Sequence, residues 1–133
     1  QVLSIEQMKH LQELGLDTSD ASMCWCRAIS HKSVTWELEI YEYVINQKLD
    51  SNFWETTPTY TLQDILDKLP TLIIISSDFY KICIEPSCGY WDIYYYKSDA
   101  TELISKKSEN IIDVAYDMLC WCIENGYIKK EGE

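Results

Sequence analysis

The sequence predicts an α+β fold: a mainly antiparallel sheet from two hairpins and three helices mostly on one face, ordered α-ββ-α-ββ-α, in one globular domain over residues 1–133. Three observations predict it. Two pairs of strand-patterned segments are each joined by a short polar turn. Three other segments carry apolar residues at helical spacing. Consecutive hairpins with helices between them argue for a helix-covered antiparallel sheet, not for alternating parallel units.

The first helix begins at Ser4. Gln7 three residues on completes a capping box, and Gly15 supplies a left-handed end. Ile5, Met8 and Leu11 form its apolar side. After the polar turn Asp17 to Asp20, residues 22–29 read as a strand. A turn at Ser30-His31-Lys32-Ser33 leads into residues 34–45, where Trp36, Leu38 and Ile40 alternate with Glu37, Glu39 and Tyr41, so the two segments pair as a hairpin. Residues 46–59 show little periodicity and read as a loop.

Thr61 opens a second helix by capping the amide of Asp64, with Tyr60 packing on Ile65 as a hydrophobic staple. Leu62, Ile65, Leu66 and Leu69 are its stripe and Pro70 stops it. Leu72 to Ser76 is a short buried strand or a connector. The second hairpin has arms Phe79–Glu85 and Tyr90–Lys97 about the turn Pro86-Ser87-Cys88-Gly89. Residues 98–108 read as a polar loop, and 109–125 as the last helix, ended by Asn125-Gly126.

Composition bounds the function. Apolar residues make up 47 % and aromatics 13 % of the 133 residues, enough for a packed core. Residues 1–66 carry 10 acids against 4 bases and residues 67–133 carry 12 against 7, giving a net charge of −11. Such a chain repels nucleic acid and anionic membranes, and a charged partner is expected to be basic. The longest aliphatic run, Leu72 to Ile75, falls far short of the roughly 20 residues a membrane helix needs. No signal-peptide pattern is visible. Six cysteines are too few for a disulfide scaffold, so a reducing, cytoplasmic setting is expected.

The tripeptide Cys-Trp-Cys occurs twice, at Cys24-Trp25-Cys26 and Cys120-Trp121-Cys122. On a strand, residues i and i+2 share a face; on a helix they diverge. Cys24 and Cys26 therefore point together, with Trp25 and Met23 opposite. Cys122 joins Ile111, Ala115 and Leu119 on the core spacing, while Cys120 falls with Asp113, Asp117 and Glu124 on the polar face. Negative neighbours disfavour its thiolate, so Cys120 is a poor nucleophile. A zinc or redox site could draw on Cys24, Cys26, Cys83 and Cys88, though the spacing is not a finger spacing and plain packing is the alternative. No Cys-x-x-Cys, phosphate loop or Gly-x-Ser-x-Gly elbow occurs, and two histidines, His10 and His31, are few for metal or general-base work. No cofactor is expected, and the chain reads more as a non-enzyme than an enzyme.

Three stretches carry a resemblance: Ile5-Glu6-Gln7-Met8 running into Leu11 to Ser19 and Ala21 to Trp25, then Tyr60 to Asp67 with Leu69-Pro70, and finally Ala115-Tyr116 with Met118 to Gly126. Together they resemble a group of uncharacterised small acidic proteins of gut anaerobic bacteria, often in phage or mobile-element settings. The resemblance covers roughly a third of the chain and implies no activity and no residue role.

One surface feature stands out. Glu37, Glu39, Tyr41 and Tyr43 are the outward set of one strand. If Trp91, Ile93 and Tyr95 face the core, then Tyr90, Asp92, Tyr94 and Tyr96 are the outward set of another. In a single sheet these eight would form a tyrosine-and-carboxylate face suited to a protein partner or to self-association. Aromatic pairing that only stabilises the sheet, or a covering helix, is the plainer alternative. Binding or regulation through this face is the expected function, with a cysteine-based zinc or redox protein, or an acidic mimic of DNA, as alternatives.

Overall fold

The computed structural model describes residues 1–28, 35–46 and 54–132. Its elements are α1 (Ile5–Glu13), β1 (Met23–Ala28), β2 (Glu37–Ile40), α2 (Tyr41–Asn46), β3 (Trp54–Thr59), α3 (Leu62–Lys68), β4 (Leu72–Ile75), β5 (Asp78–Ser87), β6 (Tyr90–Tyr96), β7 (Glu102–Ser108) and α4 (Ile111–Glu124). The α+β class holds, but the strands form two antiparallel sheets instead of one. One has three strands in the order β2-β1-β3. The other is a four-stranded meander, β4-β5-β6-β7.

The locally coded features fall where the sequence puts them. Gln7 N donates to Ser4 Oγ at 3.1 Å while Ser4 N donates to Gln7 Oε1 at 2.9 Å, closing the capping box of α1. Gly15 follows the helix with φ +99°. Asp64 N donates to Thr61 Oγ1 at 3.1 Å, and Thr61 N returns to Asp64 Oδ2 at 3.0 Å. The β5–β6 turn is tighter than the sequence suggests. Only Cys88 (φ +42°) and Gly89 (φ +85°) lie between the strands, both left-handed, as a two-residue hairpin loop requires. Pro86 therefore sits inside β5, opposite Trp91. It is tolerated because β4 pairs only with residues Asp78 to Lys81, leaving that side of β5 unpaired at residue 86.

Three strand assignments need correction. The segment 34–45 is not one strand: β2 ends at Ile40 and α2 starts at Tyr41. The apolar parity of Trp36, Leu38 and Ile40 breaks at Glu42, and Tyr41 and Val44 instead share a helical face packed on Cys24 and Cys26. The stretch 46–59 contains β3, paired along all of β1, while its residues 47–53 lie outside the described residues. Pro58 argues against a central strand, yet β3 is an edge strand, where proline is admitted. The stretch 98–108 contains β7, paired with β6 through a bulge at Tyr95/Tyr96. The first turn, 30–33, and His31 with it, lie outside the described residues.

The main core lies between the inner face of the meander and the helices. Ile73, Ile93 and Tyr95 from the sheet meet Ile65, Val114, Met118, Leu119, Cys122 and Ile123. Its polar groups are satisfied: Tyr95 OH donates to the Pro70 carbonyl at 2.7 Å and Cys122 Sγ donates to Tyr95 OH at 3.9 Å. The smaller sheet joins this body through the N-terminal segment. Trp25 Nε1 and Thr59 Oγ1 both donate to the Leu3 carbonyl, at 3.1 and 2.7 Å, and Leu3 N donates to the Tyr60 carbonyl at 3.0 Å.

Candidate functional site

Cross-strand partners share a face, so the register defines the outer surface of the meander. Leu72 and Ile74 of β4 lie beside Lys81 and Phe79 of β5. Lys81, Cys83, Glu85 and Ser87 lie beside Tyr96, Tyr94, Asp92 and Tyr90 of β6. Asp92, Tyr94 and Tyr96 lie beside Lys107, Ser105 and Glu102 of β7. The inner face carries Ile73, Ile93 and Tyr95, all buried, and Tyr90, Asp92, Tyr94 and Tyr96 share the opposite face, where Tyr90 is exposed, Tyr94 and Tyr96 are half-buried and Asp92 is buried.

Large apolar groups stand in solvent here: Ile74 is 56 %, Phe79 55 % and Tyr90 49 % exposed. α4 lies on β6 and β7 from the core side. Local polar contacts order its centre. Tyr94 OH donates to Glu85 Oε1 at 3.1 Å and its ring lies 5.6 Å from that of Tyr96. The Cys83 thiol and Glu85 beside the Tyr94 hydroxyl push its ionisation upward. Ser105 Oγ donates to Asp92 Oδ1 at 2.8 Å, which holds a carboxylate that is only 8 % exposed. At one end a hollow of about 430 Å³ is lined by Asp78, Phe79, Lys81, Tyr96 and Lys97. Lys97 Nζ there stands 3.8 Å from both Asp78 and Asp99 carboxylates.

The other half of the expected face lies elsewhere. Glu37 and Glu39 are exposed on β2 in the smaller sheet, directly across from Cys26 and Cys24. Tyr41 and Tyr43 are on α2; Tyr41 is half-buried against the cysteines and Tyr43 is 60 % exposed. A single eight-residue tyrosine-and-acid face is therefore not formed. In exchange the meander supplies Leu72, Ile74, Phe79, Lys81 and Lys107, which sequence reasoning passed over. The signal was present for Phe79 and Lys81, which keep the parity of Cys83 and Glu85. It was hidden in β4, where four consecutive aliphatic residues suit either face.

The cysteine candidates do not gather. Cys24 and Cys26 are buried on β1 with their Sγ atoms 3.4 Å apart, whereas Cys83 is half-buried on β5 and Cys88 is exposed at the hairpin tip. Among the described residues no group of three or more His, Cys, Asp and Glu side chains is placed to hold a metal ion. Burial, aided by the neighbouring Cys26 thiol, pushes Cys24 up to about 12. Cys120 is corrected from the polar face to the core edge. It is buried, and burial first, then Glu124 and Asp117, push its thiol up to about 11. Its expected weakness as a nucleophile keeps the carboxylate cause and gains a larger one.

No protein-family model, no curated protein and no solved structure matches this chain. Among the described residues no helix is long and apolar enough to cross a membrane.

Proposed function

We propose that this chain is a protein-binding module and that the outer face of β4–β7 is its working surface. The observation that carries this is a sheet face on which Ile74, Phe79 and Tyr90 are each about half exposed, alongside the Tyr94–Glu85 hydrogen bond. Aromatic side chains with polar tips give large contact area at little entropic cost, and contiguous exposed apolar patches mark interaction surfaces. The face carries two lysines, Lys81 and Lys107, against Glu85, Asp92 and Glu102, a net −1 in a chain of −11. Its near balance of charge does not select for a basic partner. The lysines also interrupt any row of carboxylates on this face, which counts against mimicry of DNA through it.

Photo-activatable side chains at positions 81 and 90 on the face, with position 6 on α1 as control, test the proposal in native lysate. Adducts formed from the face positions and not from the control are expected. Equal labelling from all three, or none from the face, would overturn it.

A further inference from the structure

We infer that the occupant of this face is a second copy of the same chain, turned end for end; the inference rests on the reading of the face as a protein-binding surface. Charge selects the partner. Two copies at −11 repel one another overall, and the meander face, at net −1, contributes little of that charge. Charge alternates along its strands. On β5 Glu85 lies toward the β5–β6 turn and Lys81 toward the opposite end; on β7 the order is reversed, with Lys107 beside Asp92 and Glu102 beside Tyr96.

Symmetry then fixes the arrangement. A two-fold axis along the strands between β5 and β6 would stack β5 on β6 of the second copy and set Glu85 against its Asp92, and one over β6 would set Asp92 against its own copy. A two-fold axis across the strands, passing over Cys83, keeps β5 above β5 and reverses its direction. Lys81 of each copy then faces Glu85 of the other, twice per dimer. The half-buried ring of Tyr94, beside Cys83, lies near the axis, and Phe79 sits over the turn end of the second copy.

Area sets the strength. Strands about 4.8 Å apart and rising about 3.4 Å per residue give four strands of about seven residues a projected face of roughly 450 Å². Two such faces bury about 900 Å², just below the ~1,200 Å² at which stable interfaces begin. The dimer is accordingly one that dissociates on dilution.

Sedimentation velocity of the full chain across micromolar to millimolar concentration tests this. A concentration-dependent shift from monomer to dimer is expected. Lys81→Glu or Glu85→Lys alone sets like charges together and weakens the dimer by roughly tenfold or more, while the double exchange restores it. Phe79→Glu, at an exposed position, weakens it with the far-ultraviolet circular dichroism unchanged. A chain monomeric throughout, or a dimer indifferent to both single exchanges, overturns the inference. Face-specific adducts with other proteins, alongside a strictly monomeric chain, would leave the binding face standing and remove the second copy alone.

Discussion

The Sγ atoms of Cys24 and Cys26 lie 3.4 Å apart on one face of β1, and neither residue is more than 4 % exposed. The strand period brings them together, and Val44 and Tyr41 of α2 close over them. Burial raises both thiols further above the ordinary value. Reaction with an aromatic disulfide reagent should therefore sort the six cysteines. Cys88, exposed at the hairpin tip, reacts first and Cys83 next, while Cys24, Cys26, Cys120 and Cys122 wait for unfolding. Peptide mapping after brief labelling reads this directly. Modification of Cys24 as fast as Cys88 would contradict the burial.

The same burial gives the fold an alkaline limit. Cys24 is pushed up to about 12, and Cys120 and Cys122 up to about 11, against 9.0 for an unperturbed thiol. Between these values the unfolded chain has released protons that the folded chain still holds, so stability is full below about pH 9 and falls as pH rises. The fall should approach about 1.4 kcal/mol per pH unit for each thiol concerned. Denaturant titrations between about pH 8 and pH 10 check it, with the raised hydroxyls of Tyr60, Tyr95 and Tyr116 adding to the fall near the upper end. Cys120→Ala should flatten the slope. A stability that rises across this range would refute the sign.

Tyr95 of β6 ties α4 and the α3–β4 connection through one oxygen: its hydroxyl donates to the Pro70 carbonyl at 2.7 Å and accepts from Cys122. Tyr95→Phe keeps the ring in the core and leaves a buried carbonyl short of its donor. A loss of about 1–2 kcal/mol is expected, seen as a lower denaturant midpoint at unchanged slope. Tyr90→Phe, half exposed on the outer face, should change stability by less than about 0.5 kcal/mol. Equal effects of the two would show that the hydroxyl of Tyr95 is dispensable.

What the sequence disclosed was local. The caps at Ser4 and Thr61, the glycine of the hairpin tip and the inward set Ile93 and Tyr95 depend on residues within a few positions of one another, and each is where it was expected. What it withheld was non-local. β3 and β7 are strands because β1 and β6 offer them a ladder, and neither segment has a strong period of its own. The division of the strands between two sheets cannot be read from alternation, because either hairpin alternates in the same way whatever it joins. That division decided the candidate site. Tyr90, Asp92, Tyr94 and Tyr96 share one face of the meander, with Asp92 buried, while Glu37, Glu39, Tyr41 and Tyr43 went to the smaller sheet and its helix.

Asp64 is the residue whose loss should cost most for its exposure. Its carboxylate accepts from Thr61 N at 3.0 Å, closing the cap of α3, and from Ser22 N and Ser22 Oγ at 3.1 and 2.5 Å, fixing the entry to β1. Thr61→Ala removes one capping acceptor, worth about 1 kcal/mol. Asp64→Ala removes an ionised acceptor serving three donors on two segments, so a larger loss, about 1.5–3 kcal/mol, is expected. The double-mutant cycle with Ser22→Ala separates the two roles. A coupling of at least about 0.5 kcal/mol is expected between Asp64 and Ser22, since they share hydrogen bonds. Additive effects would show that Asp64 serves α3 alone and that the small sheet is held to the core by the Leu3 contacts without it.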